Sequence, residues 1–280
     1  MAPETKTLGG GSLLIAWQLK DKRVLVVGGG AVASGRLESV LVADALVTLI
    51  APFQGLHPLT KQFIDTCPRV TYHDRVFGGP QDLADVDMVL TAIDDVETSE
   101  QICAMCRTLR IPVNVADIPP SCDFYFGSQI RDGPLQVMIS TNGQSPKLAN
   151  IIRKRIEECI PDQAGEAIEK VGKLRTKLRE RAPGIGGDVG KRRMRWMIDV
   201  CTAWEMEELA LLDDEMMGKL LESGWEKGRV PRVDEVGGKP KQSRTPAPTS
   251  CTLPMLLGFL AGGSCLALIF WSRTKSVVWA

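Results

Sequence analysis

The stretch KRVLVVGGGAVASGRL, residues 22–37, decides the fold. Val24 to Val27 form an unbroken apolar run, the pattern of a strand buried on both faces of a parallel sheet, and it leads straight into Gly28, Gly29 and Gly30. After the glycines, Ala33, Leu37, Val40 and Leu41 recur at helical spacing, so a helix with one apolar face follows, to about Asp44. A strand, a glycine turn and a helix in that order make Gly28-x-Gly30-x-x-Ala33 a dinucleotide signal. Gly28 permits the tight turn, Gly30 lets the backbone approach a pyrophosphate, and the first helical residues, Ala31 and Val32, offer unpaired N–H groups to its charge.

Downstream, the same texture repeats. ALVTLIAP (45–52) reads as a second strand ended by Pro52, RVTYHDRVF (69–77) as a weaker third, VDMVLTAIDD (86–95) as a buried fourth, and IPVNVAD (111–117) as a fifth. Strands alternating with helices indicate an open parallel sheet, because parallel neighbours need crossover connections. In such sheets ligands sit beyond the carboxyl ends of the strands. The residues there are Gly28 to Gly30, Ala51 and Pro52, Ala92, Ile93 and Asp94, and Asn114 to Asp117. The second strand lacks the terminal acid that would hold a ribose hydroxyl, which leaves NAD against NADP open. Asp117 either faces the cofactor or caps a turn before Pro119 and Pro120. Cys103 and Cys106, in SEQICAMCRTLR (99–110), share helical spacing with Ile102, Met105 and Leu109 and read as a buried helix face rather than a zinc site.

Past residue 127 the pattern changes. PLQVMISTNGQSP (134–146) supplies one strand and a turn, and KLANIIRKRIEECI (147–160) starts a helix. From Gln163 to about Gly228 the periodicity is helical, broken by the loop APGIGGDVG (182–190). GGKPKQSRTPAPTS (237–250) has a linker's composition. No charge occurs from Thr245 to Ser272, and the apolar stretch 253–271 is long enough to cross a hydrocarbon core of roughly 30 Å as one helix. A single C-terminal membrane anchor is therefore expected, with the body on the cytosolic face.

The whole chain has 280 residues, with Lys plus Arg and Asp plus Glu balanced at 34 each, so no global field draws it to nucleic acid. Its eight cysteines are scattered and no cleavable signal peptide is read, so free thiols are expected.

Four blocks, LKDKRVLVVGGGAVA (19–33), VDMVLTAIDD (86–95), VNVADIPPSCDFYFG (113–127) and ISTNGQSPKLANIIRKRI (139–156), occur in the order found in the sirohaem synthase family. The chain resembles that family from about Ser12 to Glu222, most of all its fungal bifunctional type without a methyltransferase domain. The resemblance implies an α/β architecture: an NAD-binding Rossmann domain (12–120), a small dimerisation segment (121–160) and an all-helical domain (161–235). A linker (236–250) and the transmembrane helix (251–272) would follow. It also implies a homodimer, NAD-dependent oxidation of precorrin-2 to sirohydrochlorin, insertion of Fe²⁺ as a substrate to give sirohaem, and a catalytic role for Asp117.

The chemistry is consistent with those expectations. Oxidising precorrin-2 removes a hydride and a proton, and a carboxylate beside the cofactor can take the proton. A carboxylate-rich tetrapyrrole calls for local positive charge on a neutral protein. Lys147 and Arg153, following Asn142 and Ser145, form the candidate substrate site, whereas the basic run from Lys170 to Arg181 reads as a solvated helix face. The two histidines, His57 and His73, both fall in the nucleotide domain, so the metal-contacting residues are not identified. An NAD-binding sensor or scaffold that has lost the chemistry is the alternative. A small-metabolite dehydrogenase with a Tyr-x-x-x-Lys base is disfavoured, since neither Tyr72 nor Tyr125 has that spacing.

Overall fold

Apolar runs with no polar face have to be covered on both sides, and the sheet they build is parallel throughout. The computed structural model describes residues 11–238, which form two compact units, one up to Gly165 and one from Glu166. In the first unit the elements run β1 (Arg23–Val27), α1 (Ala31–Leu41), β2 (Leu46–Ile50), α2 (Pro58–Thr66), β3 (Val70–His73), β4 (Met88–Thr91), α3 (Val96–Leu109) and β5 (Val113–Val115). The sheet order is β3-β2-β1-β4-β5, with every pair parallel and Val27 in register with Ile50 and Thr91. The chain moves outward from β1 on one side and then crosses to β4, so the switch point lies between the tips of β1 and β4.

Side chains alternating along the strands feed two cores. Val24 and Val26 pack with Leu37 of α1 on one face, and Leu25 and Val27 pack with Ile102, Cys103 and Cys106 of α3 on the other. Cys103 and Cys106 are therefore a buried helix face, as their spacing predicts. Leu25, Leu37 and Ile102 are fully buried, and truncating any of them to alanine costs about 2–5 kcal/mol.

The turns at the amino ends of the strands share a device. Asp21, Asp44, Asp85 and Arg110 precede β1, β2, β4 and β5, and each has a positive φ between 57° and 63°. The three aspartates accept this left-handed conformation with less strain than most residues, because their short polar side chains can bond locally, and Arg110 takes it as the C-cap of α3. At the opposite rim of the sheet, Asp117 has φ +60°.

Two elements of this unit were not read from the sequence. α2 is one. The other is β6 (Ser128–Asp132), which pairs antiparallel with β7 (Leu135–Ile139), so the single predicted strand is half of a hairpin. The exit turn leads to α4 (Pro146–Glu157). Asp132 accepts the backbone N–H of Gly165 at 2.6 Å.

The second unit contains α5 (Ala164–Arg181), α6 (Gly187–Ala203), α7 (Met206–Ala210) and α8 (Asp214–Leu220), ended by a π-turn at Leu221–Trp225. Gly187 to Gly190 belong to α6 rather than to the predicted loop. Leu174, Leu178, Val200, Leu212, Met217 and Leu220 are its fully buried residues, and Trp196 meets Trp225 edge to face. Val236 is also buried there, so this core takes in the first residue of the expected linker. The rest of that linker beyond Gly238 and the expected membrane anchor lie outside the described residues. Among the described residues, no helix is long and apolar enough to cross a membrane.

Candidate active site

Gly28 takes φ +110°, and a Cβ there would sit 2.1 Å from the Ala92 carbonyl oxygen, so only glycine lets the β1 and β4 tips meet. A Cβ on Gly29 would strike Leu56 and press on Ala51. Gly30 is different: nothing of the protein lies within 4 Å of where its Cβ would be. Gly30 is also the N-cap of α1, with no side chain closing the first turn, and Ala31 and Val32 are exposed. Free N–H groups, a helix dipole and open space beside Gly30 fit the pyrophosphate of a dinucleotide.

The neighbouring tips are held by backbone and side-chain bonds. Tyr72 donates its hydroxyl to the Ala51 carbonyl at 2.9 Å, and Asp74 accepts the Phe53 N–H at 2.7 Å. No carboxylate stands at the end of β2 itself, where Ala51 is buried and Pro52 exposed. At the end of β4, Asp94 is exposed beyond the half-buried Ala92 and Ile93. The adjacent Asp95 caps α3 through the Thr98 N–H and hydroxyl, which hold its carboxyl below the usual carboxylate range.

The proline-aromatic sequence after Asp117 turns the chain back along β5. Pro119 to Ser121 make one 3₁₀ turn, and the Cys122 thiol lies 3.0 Å from the Val115 carbonyl and 3.5 Å from that of Ile118. Asn114 gives its amide to the Phe124 carbonyl at 2.8 Å, so it tethers this return segment as well as standing at the strand tip. Ala116 still pairs with Thr91, and Asp117 follows it at the carboxyl rim, exposed and left-handed.

The return segment brings Phe126 to α1, where the Arg36 guanidinium lies over its ring. Burial lowers the Arg36 pKa, while neighbouring Cys122 and Asp117 act in the other direction. Arg36 and Phe126, together with Ala31, Val32, Gly35 and Gln129, line a cavity of about 380 Å³ beside the glycine turn. Neither residue was singled out in the sequence, because their proximity depends on the fold-back of 119–126.

The residues read as a substrate cluster stand on other elements. Asn142, left-handed and exposed, accepts the Ser12 hydroxyl at 2.5 Å. Ser145 caps α4 through the Leu148 N–H, Lys147 is exposed, and Arg153 pairs with Glu157 at 2.6 Å. Ser145 and Arg153 thus each have a local role in α4. Among the described residues, no group of three or more His, Cys, Asp and Glu side chains could hold a metal ion. His57 accepts the Leu59 N–H as the N-cap of α2.

Three family models cover most of the described chain. An NAD(P)-binding model matches residues 15–128, a sirohaem biosynthesis central model 132–158, and a sirohaem biosynthesis C-terminal model 161–231. The siroheme biosynthesis protein met8 of Schizosaccharomyces pombe is 49% identical over 227 residues, 81% of this chain and 84% of that protein. The chain belongs to the met8 family of sirohaem biosynthesis proteins. The siroheme synthases of Nitrosococcus oceani and Thioalkalivibrio sulfidiphilus are 31% and 37% identical, and the met8-type chain spans 46% and 35% of their lengths. A solved structure named SirC, precorrin-2 dehydrogenase, shares the fold with a TM-score of 0.52 at 21% identity, covering 75% of this chain and 94% of that one.

Proposed function

We propose that this met8-family chain is a bifunctional enzyme: an NAD-dependent precorrin-2 dehydrogenase that makes sirohydrochlorin, and a ferrochelatase that inserts Fe²⁺ as substrate to give sirohaem. The observation that carries the reading is Asp117, an exposed carboxylate on the same rim as the glycine turn, in a left-handed conformation.

Gly28, Gly29, Gly30 and the open first turn of α1 would bind the dinucleotide, which supplies the hydride acceptor. Ala51, Pro52, Ala92, Ile93 and Asp94 would border it. Asp117 takes the proton that leaves the macrocycle, and Arg36 holds a substrate carboxylate next to it in a charge-assisted bond. Insertion of Fe²⁺ releases pyrrole protons, and the same carboxylate can accept them. An anaerobic assay of the full chain with precorrin-2 and NAD, followed by addition of Fe²⁺, tests both steps. NAD reduction and then the sirohaem spectrum are expected. Binding of NAD with no turnover of precorrin-2 would leave a sensor or scaffold.

Two wider features belong to the proposal. Leu148, Ile151 and Ile152 form an exposed apolar face on α4, which supports a homodimer through 121–160. The uncharged stretch 251–272 would anchor the enzyme, with its body on the cytosolic side of a membrane.

A further inference from the structure

The helical unit carries an open cleft of about 1140 Å³ between α5 and α6. Buried Leu178 and Met197 lie at its base, and exposed Met194 and Ile198 extend the apolar wall along α6. Its charged lining is cationic, with Lys191 and Arg193 beside three further guanidiniums: Arg175 and Arg179 from α5 and Arg195 from α6. None of these three has an ion-pair partner among the described residues. Their neighbours do: Lys173 and Lys177 share Asp214, and Arg181 pairs with Glu226. Arg193 donates to the Ala182 and Gly184 carbonyls and so braces the end of the cleft. The basic run is therefore two populations, one consumed by local pairs and one left facing an apolar hollow.

A wide apolar floor with unpaired guanidiniums around it suits a large flat ligand with an apolar ring and acidic arms. The volume is slightly above the roughly 300–1,000 Å³ typical of small-molecule pockets. Guanidinium groups bind carboxylates in bidentate fashion, and in a cleft with low-dielectric walls their field is concentrated. We infer that this cleft docks the carboxylate-rich tetrapyrrole on the helical unit, through side chains other than those of the glycine turn. The inference rests on the proposed tetrapyrrole activity and adds to it a site built from Arg175, Arg179 and Arg195.

Cys201 lines the same cleft and is exposed, which supplies a local reporter. The test uses the full chain with uroporphyrin, an octacarboxylate that cannot be oxidised as precorrin-2 is, and follows alkylation of Cys201 by peptide mapping. Saturating uroporphyrin should slow Cys201 labelling at least tenfold, and the neutral octamethyl ester should not. Arg175→Glu with Arg179→Glu should abolish the protection while NAD-dependent oxidation of precorrin-2 continues, and the double lysine variant should retain part of it. Equal labelling of Cys201 with and without uroporphyrin in the parent protein would overturn the site, whatever the variants do. Protection by anionic phospholipid vesicles but not by uroporphyrin would also overturn it, in favour of a membrane surface. A parent chain that protects Cys201 yet never turns over precorrin-2 would instead refute the dehydrogenase reading.

Discussion

The Arg36 guanidinium lies 4.0 Å from the centre of the Phe126 ring, so a cation on the first helix is stacked against the end of the segment that follows Asp117. The stacking orients the guanidinium while leaving its N–H edge for an acid. Arg36→Met keeps much of the stem and removes the charge. Steady-state kinetics should show the KM for precorrin-2 raised about tenfold with kcat little changed, the effect of losing about 1.4 kcal/mol of charge-assisted bonding. An unchanged KM would take Arg36 out of substrate binding.

Asp117→Asn isolates the carboxylate, because asparagine also tolerates the left-handed backbone. The dehydrogenase kcat should fall by about 10²–10⁴ while NAD affinity and the melting temperature stay near those of the parent. Full activity in this variant would exclude Asp117 as the base.

Gly28 and Gly30 should separate folding from binding. Gly28→Ala puts a methyl into the Ala92 carbonyl at a positive φ and is expected to lower the melting temperature severely. Gly30→Ala meets nothing of the protein, so it should fold normally and lose NAD affinity in calorimetric titration. Normal NAD binding by Gly30→Ala would move the pyrophosphate elsewhere.

Burial pushes the Cys106 thiol up to about 12 from its ordinary value of 9.0. The unfolded chain therefore releases this proton first as pH rises, and between about pH 9 and 12 the native state holds more protons. Stability contributed by the buried thiol is complete below pH 9 and is lost as pH climbs toward 12. Urea unfolding from pH 8 to 10.5 should show a steeper loss for the parent than for Cys106→Ala.

Ile152, 43% exposed on α4, is the site for testing assembly. Ile152→Asp should convert a dimer to a monomer in light scattering, with the melting of each chain otherwise cooperative. A parent that is already monomeric would refute the homodimer.

The sheet was legible because its central strands are buried on both faces, and Val24–Val27 or Met88–Thr91 leave no ambiguity about what water must not reach, whereas the edge strand β3 has no fully buried residue. β6 was not, since SQIRD contains a single buried residue, Ile130, among polar ones. α2 has Leu59, Phe63 and Ile64 spread among polar residues, and its start depends on a histidine cap that composition does not announce. The glycine turn and Asp117 could be placed at one rim from strand order alone. Arg36 could not, because its meeting with Phe126 is made by a loop that doubles back, a tertiary event with no local period to betray it.

The left-handed aspartates at the amino ends of the strands mark the quiet rim of the sheet, and protein engineering can use that. At Asp85, where the side chain makes only an exposed pair with Arg23, glycine would relieve backbone strain of about 1 kcal/mol. The gain would come at the rim opposite the glycine turn, so a hardier catalyst needs no change to its chemistry.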